Sequence, residues 1–357
     1  MKLKNFDFTQ KVYLHPEHIV KLKNNKRPFP MTIEVDLTNH CNHRCSFCCW
    51  GEDIAEDKST LDTKIIKDCI SDMNDLGTKA ICFTGGGEPM IHKDFYDILT
   101  FTKDKGLDCG LITNGSAITE DRCDDLLNNL EWIRVSISGG DAESYNKVQG
   151  KEHFDRVINN IKMLANKKIK KNKIIKIGIR MLVTEENLYT LSKLAKKIKE
   201  INGLNYLQIS PNQFSNDEGK FWNGPNVKNE IKKSEEILKK TDIDLLTSSF
   251  ELLSTSKEEQ EKLINYPKKC YAHFYQITIM ADGNIAFCKN ARFNKKFFVG
   301  NINKKSIKEI WNAKENLEIE KWVKPSNCGL ICKVIRVNIG VENVLSPDQS
   351  IDPNFIG

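Results

Sequence analysis

The sequence predicts an α/β protein made of an incomplete parallel barrel and a smaller C-terminal module. Between residues 31 and 210, short β-branched runs alternate with longer segments of helical periodicity, which is the pattern of βα units in a parallel sheet or barrel. The six units counted there are too few for a closed eight-stranded barrel. Further on, a turn sequence at residues 281–284 separates two β-type runs. We therefore expect a partial (β/α)6 TIM-like barrel followed by a module of a β-hairpin and helices.

Six runs are predicted as barrel strands because each is apolar, β-branched and short. They are Thr32–Leu37, Lys79–Phe83, Asp108–Ile112, Trp132–Ile137, Ile174–Leu182 and Tyr206–Ile209. Apolar residues that recur every three or four positions predict helices between them, for example at Thr63–Leu76, Lys93–Lys105, Phe154–Ala165 and Leu188–Ile201. The lysine-rich run at 167–173 is predicted to be a solvated loop before the fifth strand.

Composition divides the chain into five segments. Residues 1–30 form an N-terminal extension, and the barrel is predicted over residues 31–211. Residues 212–268 hold Asn, Ser, Gly and Pro clusters and a charged helix from about Asn226 to Lys240. We interpret them as a connecting segment that lines the substrate site. Cysteines return after residue 269, so 269–340 is predicted as the second module and 341–357 as a tail.

Charge and cysteine content limit the class of protein. The chain has 357 residues, 12 cysteines and a net charge of +6. It has no apolar run of signal-peptide or membrane-spanning length, so we expect a cytoplasmic protein that contacts no membrane. Clustered cysteines in a reducing cytosol indicate metal ligands rather than disulfides. The positive charge carries no nucleic-acid signature, but it suits an anionic substrate.

Three cysteines follow the first strand in the pattern C-x3-C-x2-C: Cys41, Cys45 and Cys48. Active sites in βα barrels are built at this carboxyl end of the strands. Three thiolates can hold three irons of a 4Fe–4S cube and leave the fourth iron open to another ligand. A zinc site is the alternative, with His40 or His43 as the fourth ligand.

A glycine-rich segment, Gly85–Pro89, ends the second strand. Glycines let the backbone approach a ligand closely, and a carboxylate beside them can meet an ammonium group. The cysteine motif has an aromatic residue, Phe47, before its last cysteine, and the glycine-rich segment comes one βα unit later. Together they resemble the radical S-adenosylmethionine (SAM) superfamily over residues 31–340.

The resemblance implies roles for individual residues. The three cysteines would bind the catalytic 4Fe–4S cluster and Phe47 would shield it. The SAM contacts that it implies are Gly85, Gly86, Gly87, Glu88 and Pro89 at the methionyl ammonium group, Ser136 or Ser138 at the ribose, and Arg180 at the methionyl carboxylate. Relatives commonly read Ser-x-Asp-Gly where this chain has Ser at 138. The alternative for Arg180 is a strand-end ion pair, and for Asn187, just beyond it, a helix N-cap.

A second set of four cysteines consists of Cys270, Cys288, Cys328 and Cys332. Their spacing fits a closed 4Fe–4S cluster and a structural zinc equally well. The runs Phe298–Ile302 and Ser306–Asn312 resemble the segment that follows the hairpin in the SPASM and twitch group of the superfamily. Full SPASM modules carry more cysteines and a second auxiliary cluster. The resemblance therefore implies the shorter twitch module with one auxiliary 4Fe–4S cluster.

The other cysteines and the segment after the sixth strand give further candidates. Cys82 and Cys109 lie on or beside barrel strands and are candidate hydrogen-atom donors, with core packing as the alternative. Cys69 and Cys123 are expected in the core, and Cys49 is a less well spaced ligand than Cys48. The residues expected to line the substrate site, with ordinary loop packing as the alternative, are Asn212, Gln213, Phe214, Phe221 and Trp222.

The resemblance implies an enzyme that cleaves SAM to a 5′-deoxyadenosyl radical and abstracts hydrogen from a C–H bond. An external reductant such as flavodoxin or ferredoxin would supply the electron. Twitch enzymes include 2-deoxy-scyllo-inosamine dehydrogenase, so we expect a small polar substrate (a sugar, aminocyclitol or nucleotide-sugar) and dehydrogenation or epimerisation. The 40 residues before Cys41 are too few for the peptide-docking domain of many relatives. The alternatives are a peptide- or protein-modifying enzyme of the sulfatase-maturase or ribosomal-peptide type, and a zinc-stabilised binding module.

Overall fold

A computed structural model of the protein describes residues 8–51, 56–212, 224–247, 269–323, 332 and 334–346. Its strands are β1 (Thr32–Asp36), β2 (Ala80–Thr84), β3 (Asp108–Thr113), β4 (Trp132–Ser136), β5 (Lys176–Val183), β6 (Tyr206–Pro211), β7 (Asp244–Leu246), β8 (Gln276–Ile279), β9 (Asn284–Ala286) and β10 (Phe298–Asn301). Its α-helices are α1 (Phe8–Tyr13), α2 (Pro16–Lys23), α3 (Thr63–Leu76), α4 (Phe95–Asp104), α5 (Cys123–Asn129), α6 (Ala142–Gln149), α7 (Phe154–Lys170), α8 (Leu191–Ile198), α9 (Pro225–Leu238), α10 (Ile307–Asn312), α11 (Glu315–Trp322) and α12 (Ile335–Leu345). Each predicted barrel strand is therefore present within two residues of its predicted ends.

The ten described strands form one sheet in the order β10-β9-β8-β1-β2-β3-β4-β5-β6-β7. The strands from β8 through β1 to β7 are parallel, and β9 and β10 are antiparallel. The predicted hairpin is thus confirmed as β8 and β9, but it does not form a sheet of its own. Residues Gln276–Ile279 pair with Thr32–Val35, which covers the backbone groups that β1 would otherwise expose as an edge strand.

Helix α3 begins and ends at capping residues. The Asp62 side chain accepts hydrogen bonds from the backbone N–H groups of Lys64 and Ile65 at the start of α3. Gly77 ends that helix with a φ of +100°, a left-handed conformation that a residue without Cβ adopts at low cost. The strands from β8 through β1 to β7 are parallel, so their carboxyl ends all lie on the same side of the sheet.

The expected loop at residues 167–173 is the main error of the secondary-structure prediction. Helix α7 continues to Lys170, because Lys168 stays on the buried face of the helix. The Lys168 ammonium group donates to the Gly203 carbonyl oxygen at 2.9 Å and to Asn205 Oδ1 at 2.7 Å. A lysine can occupy a helix–sheet interface when its aliphatic stem packs and its charged end is satisfied.

The two faces of the sheet differ in chemistry. Alternate residues such as Ile33, Ile133 and Ile179 are fully buried in the helix-facing core. The other face carries polar and aromatic residues and encloses the barrel interior. A Cβ at Gly110 would lie 2.3 Å from the Trp132 ring, so glycine makes room for an aromatic ring at the amino end of the strands. Within the described part of the chain, no helix is long and apolar enough to cross a membrane.

Candidate functional site

The loop that carries Cys41, Cys45 and Cys48 begins where β1 ends, and the glycine-rich loop after β2 holds its first part. The backbone N–H of Gly87 donates to the Thr38 carbonyl at 3.0 Å, and the N–H of Glu88 donates to the His40 carbonyl at 2.8 Å. A Cβ at Gly87 would lie 2.1 Å from the His40 carbonyl oxygen. Glycine is therefore required at position 87 for the two motifs to lie against each other.

The three cysteine thiols of this loop are half-buried neighbours. Burial raises the pKa of Cys45 to about 12, and the nearby Cys48 and Cys41 raise it further. Burial also raises the pKa of Cys41, with Glu88 and Cys48 as further causes. Within the described residues no group of three or more His, Cys, Asp or Glu side chains is arranged to hold a metal ion. Three adjacent thiols nevertheless fit an iron–sulfur cluster by their chemistry, and binding iron would release their protons.

The side chain of His43, the candidate fourth zinc ligand, pairs with His153, and the His43 contact with a motif thiol is its backbone N–H, 3.5 Å from Cys41 Sγ. It is buried, its Nε2 is 3.2 Å from His153 Nδ1, and its ring contacts the Tyr145 ring edge-on. Burial, with the neighbouring His153, lowers the pKa of His43 to about 4. This neutral imidazole packs beneath the loop, while His40, the other candidate, is exposed.

Gln149 anchors the second part of the cysteine loop, and the sequence analysis missed it. Its backbone carbonyl accepts the N–H of Arg44 at 3.2 Å, and the Val148 carbonyl accepts the N–H of Ser46 at 2.9 Å. The buried Gln149 side chain accepts from the Ser138 N–H at 2.5 Å and donates to the Ser136 carbonyl at 3.3 Å. One residue at the end of α6 thus ties the cysteine loop to the carboxyl end of β4.

Glu88 stabilises the glycine-rich loop from inside. Its buried carboxylate accepts hydrogen bonds from the Thr113 hydroxyl and the Asn114 N–H at 2.6 Å each, and from the Met90 N–H at 3.2 Å. Burial raises its pKa, and these three donors oppose the rise. The described contacts of Glu88 therefore connect the loops after β2 and β3. A contact with an ammonium group stays a prediction.

The predicted ribose contacts, Ser136 and Ser138, occupy different positions. Ser138 is buried, and its hydroxyl accepts the Leu182 N–H at 3.2 Å. Ser136 is half-buried and pairs with Arg180 in the β4–β5 register, so it faces the barrel interior. The Asn187 side chain does not cap a helix. It donates to the carbonyls of Ser138 and Leu182 and thus joins the ends of β4 and β5.

Arg180 lies inside the barrel without an acidic partner among the described residues. Its Nε donates to the Ser210 hydroxyl at 3.2 Å. Burial, followed by the nearby charge of Arg134, lowers the pKa of Arg180 to about 9. The alternative interpretation as a strand-end ion pair therefore has no partner in the described part of the chain. A guanidinium in this position can accept a carboxylate ligand.

The second cysteine set is partly described, because Cys328 lies outside the described residues. Asn338 on α12 donates to Cys270 Sγ at 3.8 Å and accepts the N–H groups of Tyr271 and Ala272. Cys332 lies just before the same helix, and its carbonyl accepts the Ile335 N–H. Helix α12 thus brings Cys270 and Cys332 to one region.

Cys288 follows β9 and starts a 3₁₀ helix. Burial raises its pKa, while the backbone N–H groups of Asn290 and Ala291 donate to the sulfur and oppose the rise. Hydrogen bonds of this kind are common at iron-bound sulfurs. The described residues of this set therefore fit an iron–sulfur cluster.

Arg292 and two aromatic residues join the two cysteine regions. Trp50, after the first motif, packs on Phe293 with ring centroids 4.7 Å apart. Arg292 lies over the Trp50 ring and pairs with Glu34 at 2.8 Å and Asp36 at 2.9 Å. Burial raises the pKa of Asp36 to about 6, against the opposing effect of Arg292. Contacts from Arg292 thus hold the C-terminal module against both β1 and the cysteine loop.

The remaining predicted residues are distributed as follows. Cys82 and Cys109 are both buried, but Cys109 belongs to the helix-facing core, whereas Cys82 lies near Glu34 and Arg134 on the inner face. Cys69 and Cys123 are in the core, and Cys49 is exposed. Asn212 is half-buried at the end of β6. The other predicted substrate residues, Gln213, Phe214, Phe221 and Trp222, lie outside the described residues.

Two family models match the regions just described. Residues 35–188 match the radical SAM superfamily. The chain contains a radical SAM domain. Residues 270–333 match the SPASM domain, an iron–sulfur cluster-binding domain. This radical SAM enzyme therefore uses SAM and a 4Fe–4S cluster, and its C-terminal module is a domain that binds auxiliary iron–sulfur clusters. The alternative interpretation of the chain as a zinc-stabilised binding module is therefore wrong, because both cysteine regions lie in iron–sulfur domains.

Several known proteins are similar to this chain. The AdoMet-dependent heme synthase of Methanosarcina barkeri is 25% identical over 328 residues, which are 87% of this chain and 90% of that protein. The antilisterial bacteriocin subtilosin biosynthesis protein AlbA of Bacillus subtilis is 24% identical over 81% of this chain and 61% of its own length. The chain spans 44% of the Fe-coproporphyrin III synthase of Methanosarcina barkeri. The solved structure of Streptococcus suis SuiB with SAM has a TM-score of 0.63 at 17% identity, covering 85% of this chain and 70% of SuiB, and it shows the shared fold.

Proposed function

We propose that this radical SAM enzyme modifies a peptide or protein substrate. The observation that carries the proposal is the similarity to a bacteriocin biosynthesis protein along 81% of the chain. SuiB, which has the same fold, has been solved with its precursor peptide SuiA. Our first expectation, a small sugar or aminocyclitol substrate with dehydrogenation or epimerisation, has less support from the similar proteins.

Residues at the carboxyl ends of the strands would hold the cofactors. We assign the catalytic cluster to Cys41, Cys45 and Cys48, and the auxiliary cluster to Cys270, Cys288, Cys328 and Cys332. The SAM methionyl group would lie between the glycine-rich loop and Arg180, with Ser136 at the ribose. When bound and reduced by an external donor, the cluster and SAM supply a 5′-deoxyadenosyl radical that abstracts hydrogen.

The chain itself contributes orientation and exclusion of water. Trp132 and Tyr206 cover the amino ends of the strands, where the glycines at 110 and 178 make room for their rings. These rings fill space at the amino ends of the strands, so we place the substrate entrance at the opposite, carboxyl ends. Arg180, with two nitrogens that donate to no described residue, would orient the methionyl carboxylate and so the reacting carbon.

Deuterium transfer from a labelled extract tests the substrate class. The reconstituted enzyme is incubated anaerobically with SAM, a reductant and extract of the source organism grown in deuterated medium. Hydrogen abstraction from a substrate in the extract puts deuterium into 5′-deoxyadenosine, which mass spectrometry measures. We expect the transferring fraction to be larger than about 1 kDa and to lose activity after protease treatment. Transfer from a small, protease-resistant fraction would show that the substrate is not a peptide.

A carboxylate-bearing tetrapyrrole is the second candidate. It is favoured by the heme synthase similarity, which extends along 87% of this chain and 90% of that protein. The same experiment separates the two candidates, because a tetrapyrrole resists proteases. Coproporphyrin III added to the enzyme in unlabelled extract would then change in mass, whereas under the peptide proposal it stays unchanged.

A further inference from the structure

A second arginine, Arg134, shares the barrel interior with Arg180, and the SAM contacts do not account for it. Arg134 lies on β4 and faces inward two residues before Ser136, while Arg180 lies on β5 level with Ser136 and Gln208. Both arginines and Gln208 are half-buried. The pair thus places two positive charges on neighbouring strands, one at the level of the proposed SAM site and one beneath it.

The hydrogen-bonding groups of Arg134 are mostly unused. Its Nη1 donates to Gln208 Oε1 at 3.0 Å, and its Nε is buried and has no partner in the described part of the chain. The Trp132 ring lies 5.8 Å from its guanidinium carbon. Because Gln208 accepts through its oxygen, its amide nitrogen is left to donate to a ligand beside Arg134.

No described carboxylate lies within salt-bridge distance of Arg134. Glu34 is the acidic residue whose charge it influences, but Glu34 is paired with Arg292 at 2.8 Å and Lys289 at 3.6 Å and accepts from Gln276. A buried charge is unfavourable unless it is paired and hydrogen-bonded. The proximity of Arg180 adds repulsion. An anion that enters the barrel would pair with Arg134 and reduce the repulsion between Arg134 and Arg180.

We infer that Arg134 and Gln208 form a binding site for a carboxylate group of the substrate. The guanidinium Nε and Nη2 donors and the Gln208 amide match the two oxygens of one carboxylate. The inner-face Cys82 thiol lies nearby, so a substrate held in this way would be close to the one described donor candidate on that face. The inference rests on the proposed function and specifies the substrate as acidic: a peptide with Asp or Glu beside the reacting residue.

Binding of two model peptides tests this site without knowledge of the natural substrate. The holoenzyme with SAM, which occupies Arg180, is dialysed to equilibrium against acetyl-Ala-Glu-Ala-amide or its neutral counterpart acetyl-Ala-Gln-Ala-amide, and mass spectrometry measures the free peptide. We expect the acidic peptide to bind at least about tenfold more tightly. Arg134→Gln should abolish the preference, Arg134→Lys should keep part of it, and Arg156→Gln, an exposed arginine on α7, should keep all of it.

The outcomes separate this inference from the proposed function. Equal binding of the two peptides, or a preference that survives Arg134→Gln, would overturn the carboxylate site. If Arg134→Gln does not fold, Arg134→Lys and Gln208→Leu provide the same comparison. Coproporphyrin III, dialysed in parallel, is the alternative carboxylate source. Arg134-dependent binding of coproporphyrin III without binding of the acidic peptide would support the carboxylate site and refute the peptide substrate.

Discussion

Replacing Arg292 by Gln should destabilise the enzyme strongly, because this residue joins three parts of the structure. The Arg292 side chain is 10% exposed, and its Nη1 and Nη2 donate to Asp36 at 2.9 Å and Glu34 at 2.8 Å. Its Nε donates to the Lys289 carbonyl at 3.0 Å. Glutamine is too short to bridge both carboxylates and carries no charge. The variant therefore leaves two buried acids short of a partner.

The two acids set the size of the effect. Asp36 has a pKa of about 6, so protonating it at pH 7.5 costs about 2 kcal/mol. This is the upper limit of the stability lost when Asp36 loses its ion pair, because the acid can become neutral instead. Glu34 keeps Lys289 at 3.6 Å and loses a charged hydrogen bond that contributes about 1.5–3 kcal/mol. The sum is about 3–5 kcal/mol, which lowers the midpoint of thermal unfolding by roughly 4–7 °C in a chain of this size.

Anaerobic thermal denaturation of the reconstituted variants, with iron content checked first, measures this effect. Arg156→Gln removes an exposed arginine of α7 and should shift the midpoint by less than 2 °C, since exposed charges contribute about 0–1 kcal/mol. Arg292→Lys keeps the charge with fewer hydrogen bonds, so its unfolding midpoint should lie between those of Arg292→Gln and Arg156→Gln. If Arg292→Gln behaves like Arg156→Gln, the buried ion pairs do not hold the C-terminal module on the barrel.

Three further changes test the interior of the site. Burial raises the pKa of Asp36 to about 6, so the folded wild type loses stability as the pH rises toward 6. The stability of Asp36→Asn relative to wild type should therefore grow by about 1.3 kcal/mol from pH 5 to 7. A difference in unfolding midpoint that stays constant over this range would contradict this. Gln149→Leu leaves the buried Ser138 N–H unpaired and should cost about 1–3 kcal/mol and weaken SAM binding in equilibrium dialysis; an unchanged midpoint and affinity would show that Gln149 does not fix β4. Gly87→Ala places a Cβ 2.1 Å from the His40 carbonyl oxygen and should lower bound iron by about four per chain, whereas Gly77→Ala, at positive φ in open space, should retain it; equal iron in both would be inconsistent with the described contact.

Local patterns predicted most of the fold. The β-branched runs marked all six barrel strands, and the turn at Asp282–Gly283 marked the β8–β9 hairpin, because both signals depend on residues close in the chain. The pairing of β8 with β1 could not be predicted, since it joins residues 242 or more positions apart in the sequence. The end of α7 was missed for a different reason. Lysine content suggested a solvated loop, but Lys168 finds acceptors on the segment before β6.

The candidate site was predicted where motifs carry the chemistry. The C-x3-C-x2-C pattern and the glycine-rich segment indicated the superfamily, and the structure places these two loops in contact. Arg134, Gln149 and Arg292 belong to no motif. Their roles depend on which residues the sheet register and helix ends bring beside them, and no local pattern encodes that. The substrate class was also beyond the motifs, which describe SAM chemistry shared by many substrates.

Cleavage of SAM by the cysteine loop can be measured with one pair of proteins. Wild type and the triple variant Cys41→Ala, Cys45→Ala, Cys48→Ala are reconstituted anaerobically, reduced and supplied with SAM, and both 5′-deoxyadenosine and iron are quantified. We expect about eight irons per chain and 5′-deoxyadenosine from the wild type, and about four irons with no 5′-deoxyadenosine from the variant. Cleavage of SAM by the triple variant, or equal iron in both proteins, would contradict the assignment of the catalytic cluster to these three cysteines.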